Sequence, residues 1–147
     1  TILIDYAHTP DALENVLRSM RAVTKGRVVA LFGCGGDRDR TKRPIMGRIA
    51  AENADFAIVT SDNPRTERPE DIVADIVAGL EGTSTPHEVI VDRASAIEWA
   101  IEHHRPGDVI VLAGKGHEDY QIVGHEKRHM DEREIVAGIL EKRKMHK

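Results

Sequence analysis

Arg38, Arg65 and Glu118 stand in three loops that each follow a run of apolar, mostly β-branched residues. A guanidinium binds a carboxylate in two places, and a carboxylate accepts hydrogen bonds from an ammonium group. Together these groups suit an amino acid zwitterion. The first loop, GCGGDRDRTKRP from Gly33 to Pro44, also carries Asp39, Arg40, Lys42 and Arg43, a density of charge that suits a carboxylate or phosphate ligand. In the second, Asp62-Asn63-Pro64-Arg65, the proline fixes its own φ and restricts Asn63, so that Asn63 and Arg65 can face one ligand. The third, from Gly114 to Asp119, holds Lys115, His117 and Glu118. Taken singly, each loop has a plainer reading as a glycine turn, an Asn-Pro turn or a solvated polar loop. Their convergence would favour a site.

The elements that must bring them together are legible from periodicity. Ile2 to Ile4, Arg27 to Phe32, Phe56 to Val59, Glu88 to Val91 and Val109 to Ala113 are predicted strands. Helices are predicted over Pro10 to Val23, Ile45 to Asn53, Pro69 to Leu80, Asp92 to His103 and Asp131 to Lys144, with Gln121 to Val123 a weak hairpin-like strand. The helical spacing of Leu13, Val16, Leu17, Met20 and Val23 defines one apolar face. Continuous apolar runs alternating with helices indicate a parallel sheet, whose carboxyl-end loops share one edge where ligands bind. The expected fold is a Rossmann-like, three-layer α/β domain, mostly parallel, with helices on both faces and an antiparallel edge strand. All 147 residues fit one domain, 40% hydrophobic, and the start at Thr1 inside an apolar run reads as a piece of a longer protein.

Composition removes several function classes. With 21 Lys and Arg against 25 Asp and Glu, the formal charge is −4, and no basic stripe faces a phosphate backbone. Two Phe, two Tyr and one Trp make a poor base-stacking platform, so no nucleic-acid partner is expected. No apolar run approaches the length of a membrane span. Cys34 is the only cysteine, which excludes an internal disulfide, fits a reducing cytoplasm and lacks an activating partner for nucleophilic work. His125 and His129 lie four apart but in a hairpin-like segment without supporting cysteines, so no metal site is expected. His103 and His104 read as solvated residues at a helix end. The glycines after Phe32 lack the third glycine of a dinucleotide fingerprint, and no GxxxxGK[ST] segment is present.

Four segments in order carry a resemblance: Asp5-Tyr6-Ala7-His8-Thr9-Pro10-Asp11, the Gly33 to Pro44 loop, Asp62-Asn63-Pro64-Arg65, and AGKGHEDYQ from Ala113 to Gln121. Together they resemble the C-terminal domain of the Mur ligases, of the MurE type, over essentially the whole chain. The resemblance implies an ATP-dependent, amide-forming ligase of bacterial peptidoglycan precursor synthesis. Such an enzyme joins a diamino acid to the γ-carboxylate of D-glutamate on UDP-MurNAc-L-Ala-D-Glu. ATP phosphorylates that carboxylate, the incoming amine attacks the acyl phosphate, and phosphate leaves the tetrahedral intermediate.

By the same resemblance, Arg38, Asn63, Arg65, Gly114 and Glu118, with Asp62 and Pro64 in the same segment, are expected to bind meso-diaminopimelate. Asp5 and His8 are expected to approach ATP. The ATP loop, the Mg²⁺ ligands and the UDP-binding domain would lie upstream of Thr1, so this chain is expected to be inactive alone and to hold no catalytic residue. It is expected to be monomeric and cytoplasmic. Two other readings stand beside this one: a related Mur or folylpolyglutamate ligase domain for another amino acid, and a stand-alone nucleotide-binding Rossmann-like module.

Overall fold

β2 (Val28–Phe32) and β5 (Val109–Ala113) are buried at every residue, as continuous apolar runs require of strands covered on both faces. They lie at the middle of a five-stranded sheet with β1 (Ile2–Asp5), β3 (Phe56–Val59) and β4 (His87–Val89), in the order β1-β5-β2-β3-β4, all parallel. Ala30 stands opposite Ala57 on one side and Val111 on the other. The computed structural model describes residues 1–145.

Strand order dictates where the helices go. Parallel crossovers are right-handed, so the chain's direction of travel across the sheet sets the face on which each helix packs. α1 (Pro10–Val23), α2 (Lys42–Asn53) and α3 (Pro69–Ala78) connect strands in one direction and pack together. Their Leu13, Leu17, Met46, Ala50, Ile72 and Ile76 meet Val28, Ala30, Phe32, Val59 and Val111. α4 (Arg93–Glu102) returns the chain from β4 to β5 and so lies on the other face. With α5 (Glu132–Met145) it covers Val29, Leu31, Ile58, Ile110 and Leu112. The result is the expected three-layer, Rossmann-like α/β arrangement.

Several boundaries differ from expectation for physical reasons. α2 starts at Lys42 rather than Ile45, because Pro44 in the first turn needs no N–H donor and so does not delay the helix. α3 ends at Ala78, two residues early, and β4 is His87–Val89 with every residue exposed, as suits a short edge strand. Asp92 caps α4 from outside it, accepting a hydrogen bond from Ser95 N at 3.0 Å. Val23, assigned by spacing to the buried face of α1, is 74% exposed.

The antiparallel element is not an edge strand of the main sheet. β6 (Tyr120–Val123) and β7 (Glu126–His129) form a separate two-stranded hairpin turned at Gly124. An isolated parallel bridge between Arg65 and Val123 ties it to the loop after β3.

Candidate functional site

The carboxyl ends of β1, β5, β2 and β3 are contiguous in the sheet, and the loops that leave them surround a cleft of about 320 Å³. Arg38, Asp62, Asn63, Arg65, Gly114, Glu118 and His8 all line it. Asp5 and Pro64 are not on its wall. Tyr6, Gly33, Cys34, Gly35, Asp39 and Lys42 complete the lining; Asp39 and Lys42 belong to the charged loop that the sequence marked for a ligand, whereas Tyr6 was not singled out and Cys34 was read as a small loop residue.

The loops after β2 and β3 are zipped together. Gly36 N donates to Asn63 O at 2.7 Å, and Asp37 accepts from Thr66 N and Thr66 Oγ1 at 3.1 and 2.7 Å. Those Thr66 bonds hold the Asp37 carboxyl below its usual range. A Cβ on Gly36 would sit 1.9 Å from Pro64 O, so only glycine permits this approach. The glycines therefore serve loop-on-loop packing as well as the turn. Among the described residues, Asp37 and Arg65 are the non-glycine residues with left-handed backbones, at φ 54° and 51°. Such strain clusters where surrounding contacts over-determine a site.

Arg65 is fixed on several sides. Its N–H donates to Ile122 O at 3.1 Å, its carbonyl accepts from Gly124 N at 2.6 Å, and its Nη1 donates to Gly36 O at 3.0 Å. Arg38 is exposed and, among the described residues, spends only one bond on the protein, Nη1 to Asp37 O at 3.0 Å. Glu118 accepts from Tyr120 Oη at 3.3 Å, and the neighbouring Glu118 charge pushes the Tyr120 phenol upward. Asp5 Oδ1 accepts from Ala7 N at 2.8 Å and turns the loop toward His8. The His8 ring meets Tyr6 edge-on at 4.8 Å.

Two cations expected to face a ligand are instead buried. Lys115 is wholly buried beneath the cleft, its Nζ 3.0 Å from Asn63 Oδ1 and 2.9 Å from Tyr120 O. Arg43 is equally buried, bonded to Glu67, to Asp75 and to Gly35 O. The Arg43 guanidinium, helped by Asp37 N, drives the Glu67 carboxyl down to about 2. A signal for Arg43 existed. Residues 43, 46, 47, 50 and 51 form the buried stripe of α2 at helical spacing, so Arg43 belongs to the inner face.

Cys34 is buried, and burial followed by the nearby Asp62 charge raises its thiol to about 12, which removes it as a nucleophile near neutral pH. His125 and His129 do not converge on a ligand: His125 lies in the hairpin turn, and His129 bonds Glu134 Oε2 at 2.8 Å. His103 stacks on Trp99 at 4.2 Å, and His104 Nδ1 lies 2.6 Å from Ile101 O, so neither is merely solvated.

A parallel α/β domain with cations and carboxylates gathered at its strand ends defines a class, the Rossmann-like domains that hold a small charged ligand at the carboxyl edge. Within that class, the chain belongs to the family described as Mur ligase, glutamate ligase domain, whose model matches residues 1–116.

Curated relatives agree. A UDP-N-acetylmuramoyl-L-alanyl-D-glutamate--2,6-diaminopimelate ligase of Trichormus variabilis is 60% identical over 143 residues, 97% of this chain and 29% of that protein. A ligase of the same description from Clostridium acetobutylicum is 55% identical over 140 residues, 95% of this chain and 28% of that one. A solved structure under that ligase name superposes with a TM-score of 0.90 at 44% identity, covering 97% of this chain and 29% of its own. Escherichia coli FolC in complex with ADP shares the fold alone, with a TM-score of 0.56 at 22% identity over 77% of this chain and 25% of its own. The chain thus spans about 29% of the length of the first of these relatives.

Proposed function

We propose that this chain is one domain, the amino-acid-presenting part of a longer ligase that joins meso-diaminopimelate to UDP-MurNAc-L-Ala-D-Glu in peptidoglycan precursor synthesis. The observation that carries this reading is the meeting of Arg38, Arg65 and Glu118 around one cleft. The guanidiniums take the carboxylates of the amino acid, and Glu118, with Asp62 beside it, takes an ammonium. Gly114, at φ 115°, presents backbone rather than side chain to the ligand. Arg65 and Asn63 form the specificity segment, since the distal carboxylate is what distinguishes diaminopimelate from lysine.

Acyl transfer needs ATP, and in this reading ATP and Mg²⁺ are held mainly by other parts of the enzyme. Among the described residues no three His, Cys, Asp or Glu side chains gather to hold a metal ion. At the nucleotide side this chain offers His8 and the Oδ2 of Asp5, the Oδ1 being engaged by Ala7 N. Its own contribution is to hold the amino acid's reacting amine toward the acyl phosphate and, by domain closure, to exclude water from it. Because ATP is a cytoplasmic substrate, the proposed enzyme works there, as a monomer. Among the described residues no helix is long and apolar enough to cross a membrane.

Steady-state kinetics of the ligase carrying this chain, with meso-diaminopimelate and with L-lysine, test the reading. We expect turnover of diaminopimelate and discrimination against lysine on the order of a thousandfold, because lysine leaves an arginine unpaired. Arg65→Ala should abolish most of that discrimination. Equal use of lysine by the unaltered enzyme would overturn the assignment.

A further inference from the structure

A fully buried ammonium is costly unless oxygen atoms surround it. Lys115 Nζ has four around it: Tyr120 O at 2.9 Å, Asn63 Oδ1 at 3.0 Å, Asp62 Oδ1 at 3.3 Å and Glu118 Oε1 at 3.6 Å. Three of those oxygens belong to side chains on the cleft wall, while Lys115 itself is not on it. The lysine is therefore a floor beneath the ligand and not a contact to it.

That floor dictates the polarity of Asn63. Its Oδ1 accepts from Lys115 Nζ and also from Ile122 N at 2.9 Å, which uses both lone pairs. Flipping the amide would set its NH₂ against two donors. The orientation is thus decided by chemistry, and Asn63 has only N–H groups left to offer a ligand, which calls for an acceptor such as a carboxylate oxygen. The two carboxylates are held differently. Asp62 Oδ1 lies at ion-pair distance from Lys115 with no hydrogen bond, and Glu118 receives Tyr120 Oη on its other oxygen. One ammonium faces two carboxylates, so within the floor itself acceptor oxygens outnumber the cation, which suits an ammonium group of the ligand.

We propose that Lys115 is a positioning residue for amino-acid specificity: it sets Asn63 to donate and leaves the Asp62–Glu118 floor to accept, so that the cleft recognises adjacent carboxylate and ammonium groups. This rests on the functional reading above and extends it to a residue that never touches the substrate.

The test is steady-state kinetics of the full ligase with Lys115→Met, Lys115→Gln and Lys115→Arg, each checked for a cooperative melting transition. Lys115→Met should raise the KM for meso-diaminopimelate about 100-fold, with kcat falling less than about fivefold and the KM for ATP moving less than about twofold. Lys115→Gln keeps a donor for Asn63 but loses the charge, so its KM should rise about tenfold. Lys115→Arg restores a cation and should lie nearer the unaltered enzyme than Lys115→Met does. A folded Lys115→Met or Lys115→Gln whose amino-acid KM stays within about threefold overturns the proposal, as does an equal rise in the KM for ATP. If Lys115→Met does not fold, Lys115→Gln decides by the same criterion. The unaltered enzyme separates the two ideas: no turnover of meso-diaminopimelate sinks the functional reading, whereas turnover with an unmoved KM in the variants sinks this one.

Discussion

Arg93 and Glu132 form an ion pair of 2.9 Å in which neither side chain has any solvent exposure. The rest of the guanidinium is spent on the backbone: Nη1 donates to Ser61 O at 3.0 Å and Nη2 to Ala113 O at 2.8 Å. These carbonyls immediately precede Asp62 and Gly114. The first residues of α4 and α5, on the far face of the sheet, thereby anchor the two loops that hold Asn63, Lys115 and Glu118.

Removing one partner of such a pair leaves an uncompensated buried charge, which costs about 3–5 kcal/mol. Glu132→Ala should therefore lower the melting temperature by roughly 10 °C, at a few degrees per kcal/mol for a chain of this size. Differential scanning calorimetry measures it. A fall of only a degree or two would show that Arg93 is sufficiently held by the two carbonyls.

Acid should unzip the loops through Glu67. Its folded carboxyl titrates at about 2 against an ordinary 4.5, with the Arg43 hydrogen bond the chief cause. A value lower in the folded state means that the unfolded chain takes up the proton first. The contribution is full above about 4.5 and drains away as the pH falls toward about 2. Urea midpoints measured across that window should drop more steeply for the unaltered chain than for Glu67→Gln. Parallel curves would remove Glu67 as a source of acid sensitivity.

The parallel sheet is readable because β2 and β5 are buried on both faces and therefore apolar throughout. Positions where one residue serves two masters are harder. Val23 keeps the helical spacing but is the last residue of α1 and is exposed. Arg38, Arg65 and Glu118 are legible as a cluster because strand ends share an edge. Whether a cation in such a loop faces the ligand or lies under it depends on partners far away in sequence. For Lys115 these include Asn63, which no local pattern around the lysine announces; for Arg43 they are Glu67 and Asp75, and there the helical spacing of α2 gives the inner face but not the partners.

Gly36→Ala should separate the two zipped loops. Its new Cβ would meet the Pro64 carbonyl at 1.9 Å, backbone against backbone, with no flexible side chain to yield. Because Gly36 O is also the acceptor for Arg65 Nη1, displacement moves the arginine proposed to read the distal carboxylate. We expect a loss of roughly 2 kcal/mol or more in stability, by analogy with overpacked cores. The KM for the amino acid should rise with it. Gly138→Ala is the control, since nothing lies within 4 Å of its Cβ and it sits inside α5. It should raise stability by roughly 0.5–1 kcal/mol and leave KM alone.

Arg38 and Arg65 should fail in different ways. Arg38 is exposed and bonded only to its neighbour's carbonyl, so Arg38→Ala should change stability by less than about 0.5 kcal/mol. Its loss should weaken meso-diaminopimelate, read as a rise in KM with the melting temperature unmoved. Arg65 is held by Ile122, Gly124 and Gly36, which aim its guanidinium, so Arg65→Lys keeps the charge and discards the planar fork. That variant should lose most of the selectivity for meso-diaminopimelate over L-lysine while still folding, because a lysine tolerates the same backbone about as well as an arginine. The ratio of kcat/KM for the two amino acids is the measurement. Selectivity retained in Arg65→Lys would mean that charge alone discriminates, and that the left-handed backbone at Arg65 serves the hairpin contact rather than the aim of the guanidinium.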